Sequence, residues 1–272
     1  MTGSWALLLE YDGTGFAGWQ RQAGQPTIQA LLETAAAKLN HGVPVPSIVA
    51  GRTDAGVHAA GQVAMLTLPA RHGAHQVREA LNFHLKPYPV VVLQAAPAPI
   101  GWNPRFSALS RAYTFRILNR RTRPALEASR VWHVERPLDA EVMNRAAALL
   151  LGHHDFTSFR AAACQAKSPW RSLDRLSVTR HGDHLVIEAE ARSFLHHQVR
   201  NMAGTLKLVG EGRWPPEHVA EVLAARDRSA AGPTAPPDGL TLVAVRYELD
   251  PFSPLAEPTA PGSTPAARSA PS

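Results

Sequence analysis

Asp54 and Arg52 lie two residues apart in Gly51-Arg52-Thr53-Asp54-Ala55-Gly56-Val57-His58, between two glycines. A carboxylate kept ionised by a neighbouring cation can act as a base or as a nucleophile. Glycine permits backbone angles and close approaches that side chains resist, so the stretch suits a tight loop. The apolar run Ile48-Val49-Ala50 before it reads as a strand, which puts the loop at a strand end. Two readings follow from spacing alone. The loop carries chemistry, as strand-end loops often do, or it is an ordinary turn whose Asp54 and Arg52 form a surface ion pair.

Other residue types narrow the chemistry. Two histidine pairs occur, His153-His154 and His196-His197. Adjacent side chains diverge on a helix or a strand, and no His-Glu-x-x-His spacing is present. No metal site is therefore expected. Cys164 is the single cysteine, which excludes an intrachain disulfide and a Cys-rich zinc site. Asp12-Gly13-Thr14-Gly15 is Gly-rich but lacks the Gly-Lys-Ser/Thr of a phosphate cradle, so no nucleotide cofactor is expected.

Composition points to an anionic partner. The 272 residues carry a formal net charge of +6, and nucleic acid is the commonest partner of such a surface. Arg116, Arg120, Arg121, Arg123 and Arg130 cluster with Glu127 as the one nearby opposing charge, which suits phosphate neutralisation or a solvated loop. No apolar run approaches the thickness of a bilayer, and the N-terminus lacks the pattern of a secretory signal. With one cysteine, these features fit a reducing cytoplasm.

The elements that position these residues follow from periodicity. Ala6–Tyr11 reads as a strand. Thr27 reads as an N-cap, followed by Ile28, Leu31, Leu32, Ala35 and Leu39 at helical spacing. The strand into Gly51, a strand over Val63–Leu68, a helix through Val77, Leu81 and Leu85, and the strand Val90–Leu93 complete the first half. That order is the split ferredoxin-like pattern, so residues 1–104 are expected to form one α+β unit. Residues 105–250 read as a second. Ser110–Ile117 alternates as a strand. Asp139 caps a helix, with Leu138 and Met143 as its hydrophobic staple, and Gly152 stops it. Leu173–Thr179 and Leu185–Ala189 form a hairpin around His181-Gly182-Asp183. A helix runs from Phe194 past Val209, with Leu195, Val199, Met202 and Leu206 on one face and His196, Arg200 and Gly204 on another. A short helix follows Pro216, and Leu240–Leu249 makes a last strand. Residues 251–272 hold six prolines and two charges, and are expected to be a disordered tail.

Several stretches match one family in order. Gly51–Ala59 resembles the active-site signature of the tRNA pseudouridine synthase A family. Tyr11–Gln20, Arg111-Ala112-Tyr113, the block from His153 through Pro169, Phe194–Gly204 and Ala235–Leu240 resemble its other motifs. The resemblance spans Tyr11 to about Leu249. Two departures stand out. Phe115 occupies a position where the family often has tyrosine, and Gln198 one where methionine is usual.

The resemblance implies a cofactor-free, metal-free homodimer with two α+β halves sharing an extended antiparallel sheet, helices on one face and a basic cleft between the halves. It implies isomerisation of uridine to pseudouridine at positions 38, 39 and 40 of the tRNA anticodon arm. Asp54 would be catalytic and Arg200 its ion-pair partner. Tyr113 would stack on the target base, Leu240 would pack against it, and Arg52 would help extrude the nucleotide. Whether Asp54 attacks sugar or base, or removes a sugar proton, stays open. A silent RNA-binding module of the same fold would suit the charge but needs no Asp54–Arg200 pair. A dimeric aspartic protease would need Asp-Thr/Ser-Gly, and Ala55 lacks the hydroxyl.

Overall fold

The computed structural model describes residues 2–69 and 72–253. The first half runs β1 (Thr2–Tyr11), α1 (Ile28–Leu39), β2 (Ser47–Val49), β3 (His58–Pro69), α2 (Ala74–Leu85) and β4 (Val90–Pro97). Thr27 caps α1 by accepting from the Ala30 amide, as its position predicts. Strand order is β4-β1-β3, with β2 on the far part of β3. That is the split βαββαβ arrangement expected for this half.

The second half repeats it. It runs β5 (Ala108–Asn119), β6 (Trp132–Val134), α3 (Ala140–Ala148), β7 (Gly152–Asp155), β8 (Trp170–His181), β9 (His184–Ala191), α4 (Gln198–Gly210), α5 (His218–Ala225) and β10 (Leu240–Tyr247). Asp139 caps α3 by accepting from the Glu141 and Val142 amides. Its strands lie in the order β10-β5-β9-β8, with β7 outside them.

The last strand joins the halves. β10 lies between β5 and β3, antiparallel to β5 and parallel to β3 through Thr241–His58 and Leu242–Ala59. Among the described strands only this pair and β5–β6 are parallel, so one mainly antiparallel sheet of 10 strands spans the molecule. The close approach needs Gly61, where a Cβ would stand 2.3 Å from the Val243 carbonyl oxygen. It also explains why β3 begins at His58 rather than near Val63: the segment leaving the Asp54 loop pairs at once with β10.

Each half has its own apolar core on the helical face. One gathers Leu7, Leu9, Leu32, Leu66, Leu81 and Leu85, with Leu242 from β10. The other gathers Phe115, Met143, Phe156, Ile187, Met202 and Leu206, with Val57 from the Asp54 loop. Each such buried side chain contributes about 1.5–3 kcal/mol. A third cluster, with Ala6, Val63, Trp102 and Tyr247, covers part of the opposite face. Pro251–Ser253 form a turn, and Phe252 packs against this cluster. The rest of the expected tail lies outside the described residues.

Candidate active site

The loop after β2 is built from backbone contacts. Trp19 N–H donates to the Thr53 carbonyl at 3.0 Å and Gly56 N–H to the Phe16 carbonyl at 3.2 Å. Two glycines of the preceding segment make room for it. A Cβ on Gly18, whose φ is +90, would stand 2.6 Å from the Thr53 oxygen, and one on Gly13 would stand 2.1 Å from the Val57 oxygen. Thr53 is buried and its hydroxyl meets the Tyr11 hydroxyl at 2.8 Å. Gln62 holds both the Tyr11 hydroxyl, at 3.2 Å, and the Gly51 carbonyl, at 2.8 Å. Burial pushes the Tyr11 pKa up to about 12, so this phenol stays neutral and serves as scaffold.

Asp54 leaves that scaffold toward the second half. Its side chain is 20% exposed. Oδ2 lies 3.5 Å from Arg200 Nη1 and 3.5 Å from His197 Nε2, while Oδ1 lies 3.4 Å from His196 Nε2. The Arg200 Nε donates to the Ala235 carbonyl at 2.8 Å, which fixes the guanidinium's plane. α4 presents Arg200 because Gly204, one turn on, lets the 232–235 segment lie against the helix. A Cβ there would stand 1.7 Å from the Pro233 oxygen.

Two expectations are corrected here. Arg52 and Asp54 do not pair: Arg52 is exposed, and the cation beside Asp54 is Arg200, which is 146 positions away in sequence. His196 and His197 do not diverge. Their ring centroids are 4.0 Å apart and both face Asp54. The rule for adjacent side chains holds inside a helix or strand, but α4 begins only at Gln198, and His197 before it has φ 61 in the left-handed region. Nothing in residue spacing signalled that turn. Burial pulls the His197 pKa below the ordinary imidazole value; Asp54 opposes this, while His196 and Arg200 add to it.

The remaining expected residues take varied positions. Tyr113 is half-buried on β5, edge-on to Phe194 with ring centroids 5.3 Å apart. Burial first, then Tyr11 and Asp54, push its pKa far up, so its hydroxyl stays protonated. Leu240 is buried in the second core, paired across the sheet with Phe115. Phe115 is itself fully buried, edge-on to Trp132. Gln198 is also buried, and its Oε1 accepts from the Leu195 amide at 2.8 Å, locking the turn before α4. The basic cluster is less open than its sequence suggests. Arg116 pairs with Glu127, but Arg130 pairs with Asp12 at 2.7 Å and Arg120 with Asp183 at 3.6 Å.

Two residues that sequence reading passed over tie the halves together. Arg111 is buried and donates to the carbonyls of Ala50, Arg105 and Arg192. His58 accepts from the Gly13 amide at 3.1 Å through Nδ1, and its Nε2 meets the carbonyls of Ser129 and Asp238 at 2.8 and 3.2 Å. The Arg of Arg-x-Tyr and the His closing the Asp54 motif were both in view; their long-range partners were not.

A carboxylate thus stands at the joint between the two halves, beside a guanidinium and two imidazoles. A family model described as tRNA pseudouridine synthase matches residues 8–107 and 146–248. The chain belongs to the tRNA pseudouridine synthase family. Relatives named tRNA pseudouridine synthase A bear this out along most of its length. The one from Acidiphilium cryptum is 70% identical over 91% of this chain and 98% of the relative. Those from Gluconobacter oxydans and Paramagnetospirillum magneticum are 57% and 58% identical over 92% and 89% of this chain, and over 91% and 94% of the relatives. Both segments matched by the pseudouridine synthase family contribute to the site: the first holds Asp54 and the second Arg200.

Proposed function

We propose that this tRNA pseudouridine synthase isomerises uridine at positions 38, 39 and 40 of the anticodon stem-loop, with Asp54 as its catalytic carboxylate. The observation that carries this reading is the Asp54–Arg200 contact across the two halves, at 3.5 Å. The reaction must break the glycosidic C–N bond, turn the detached base and form a C–C bond, with loss of hydrogen from the uracil C5. Asp54 starts it by attacking sugar or base or by taking a sugar proton; Arg200, 3.5 Å away, holds the carboxylate aimed. Tyr113 stacks on the base and retains it after detachment. Leu240 closes the apolar side of the base site, within the core on which Tyr113 packs. Arg52, exposed at the loop rim, helps extrude the nucleotide, because a stacked base is out of reach.

The enzyme needs no cofactor and acts as a homodimer in the cytoplasm, a reading that rests on the family resemblance. Among the described residues no helix is long and apolar enough to cross a membrane. A silent RNA-binding module is the weaker reading, since a carboxylate set among cationic and imidazole groups adds nothing to phosphate attraction.

The test is tritium release from tRNA labelled at the uridine C5, under single turnover. Release from native protein and none from folded Asp54→Asn supports the reading. Near-normal release by the variant sinks it. Sedimentation showing only a 29.4 kDa species at micromolar concentration counts against the dimer.

A further inference from the structure

The left-handed turn at His197 gives the Asp54 cluster a second capability. We propose that Asp54, His196 and His197 form a binding site for a borderline divalent cation of the Zn²⁺ class, and that the bound ion reversibly silences the enzyme. The silencing, though not the binding, rests on Asp54 being the catalytic carboxylate.

The ligand atoms lie close to where such an ion needs them. Bonds of about 2.0–2.2 Å in tetrahedral geometry put neighbouring ligand atoms roughly 3.4 Å apart. Asp54 Oδ1 and His196 Nε2 are 3.4 Å apart, and Asp54 Oδ2 and His197 Nε2 are 3.5 Å apart. The two imidazoles face different oxygens of the carboxylate, and one ligand atom from each of the three residues falls within 4.8 Å of the other two, so side-chain rotation brings all three onto one ion. His196 is 40% exposed and His197 28%, which leaves an entry path for an ion. Two imidazoles and one carboxylate suit Zn²⁺, Co²⁺ or Ni²⁺; Mg²⁺ and Ca²⁺ prefer oxygen ligands.

Two features make the site reversible rather than structural. Ligand histidines in tight sites are usually oriented through their second ring nitrogen. Among the described residues, neither His196 nor His197 has such a hydrogen bond. Arg200 also stands 3.5 Å from the same Asp54 oxygen that faces His197, so a bound cation must share the carboxylate with a guanidinium. Occupancy would take from Asp54 the lone pairs its chemistry requires, and would place positive charge where Arg200 already supplies enough.

The experiment uses full-length protein without a polyhistidine tag, stripped with chelator and titrated with Co²⁺. Expected are the visible ligand-field bands of a tetrahedral site, bleached by Zn²⁺ and unaffected by Mg²⁺. His196→Ala and His197→Ala, each confirmed as folded by a melting curve, should each weaken Co²⁺ binding at least about tenfold. Turnover of the native enzyme should fall on adding Zn²⁺ and return with EDTA. In either histidine variant, compared with itself without metal, the Zn²⁺ needed should rise by about the same factor. Absence of bands at millimolar Co²⁺, or bands that both variants retain unchanged, overturns the site. Saturation by Co²⁺ with turnover untouched overturns the silencing. These outcomes are separate from the Asp54→Asn test, which reads catalysis without metal.

Discussion

The two halves share one topology but fix their parts of the site on different elements, a loop and a helix. The first half holds Asp54 on a loop anchored by the buried Thr53 and Val57 on either side of it. Its position comes from backbone pressed on backbone, at Gly13 and Gly18, and from the buried Tyr11–Thr53–Gln62 network. The second half holds Arg200 on a helix whose residues are nearly all buried. Both halves use a close backbone approach, at Gly13 and Gly18 in one and at Gly204 in the other, but the carboxylate rides on a loop and the cation on a helix seated in an apolar core. One arrangement tolerates no added atom beneath the loop; the other tolerates no slip of the helix.

The largest expected effect tests which half carries the chemistry. Asp54→Asn should lower single-turnover pseudouridine formation by about 10³-fold or more, because every candidate first step uses the carboxylate. Arg200→Lys should lower it less, about 10- to 100-fold, since a point charge remains but the hold on Ala235 is lost. tRNA affinity should change little in either. Equal losses in both variants would break the division of labour.

Next come substitutions at the glycines. Gly204→Ala puts a Cβ 1.7 Å from the Pro233 oxygen, so the 232–235 segment or α4 must move. The cost should be about 1–3 kcal/mol of stability, seen as a lower melting temperature. Gly18→Ala adds a Cβ 2.6 Å from the Thr53 oxygen at a residue whose φ is +90. It should cost turnover out of proportion to stability, because the loop can shift away and take Asp54 with it. A Gly18→Ala protein that is destabilised but fully active would show the loop to be held by something else.

This contrast also explains what could be read from the sequence. The α+β order, the caps at Thr27 and Asp139 and the apolar faces follow local periodicity, and each was legible. The Asp54–Arg200 pairing came through resemblance, since no local rule links positions 146 apart. What stayed hidden depends on the backbone at single residues or on distant partners. The φ of His197 brings two rings onto Asp54. Asp12 reaches Arg130 only because the two halves meet.

A smaller effect is expected in binding. Arg120 and Arg121 are exposed on the second half. Replacing both with Ser should weaken tRNA binding and lower the salt dependence of log Kd by about 1–2, with saturated turnover spared. An unchanged salt slope would place the RNA elsewhere. Because Arg120 already sits 3.6 Å from Asp183, its share should be the lesser one, and the single variants should show it.

The smallest effect concerns a network of the second half whose side chains pair with one another rather than with Asp54. Glu127 accepts from His184 at 2.9 Å and from Arg116. The His184 hydrogen bond holds its pKa below the ordinary carboxylate value of 4.5; burial opposes this, and Arg116 adds to the lowering. A carboxyl whose pKa falls on folding stabilises the native state fully above its unfolded value. That contribution is lost as pH drops through the lower, folded value. The carboxylate is 33% exposed, so solvent screens the pair and its worth is under about 1 kcal/mol. Glu127→Gln should therefore lower the melting temperature at neutral pH by no more than about 4 °C. The gap between native and variant should close as pH falls below 4.5 and the native carboxyl protonates. Turnover at neutral pH should not change, because the Glu127 carboxylate pairs with Arg116 and His184 and the backbone hold of Ser129 on His58 is left in place. A melting gap that persists at acid pH would mean that Glu127 acts through packing rather than charge. Lost turnover would mean that the change passes through Ser129 to His58 and so to the Asp54 loop.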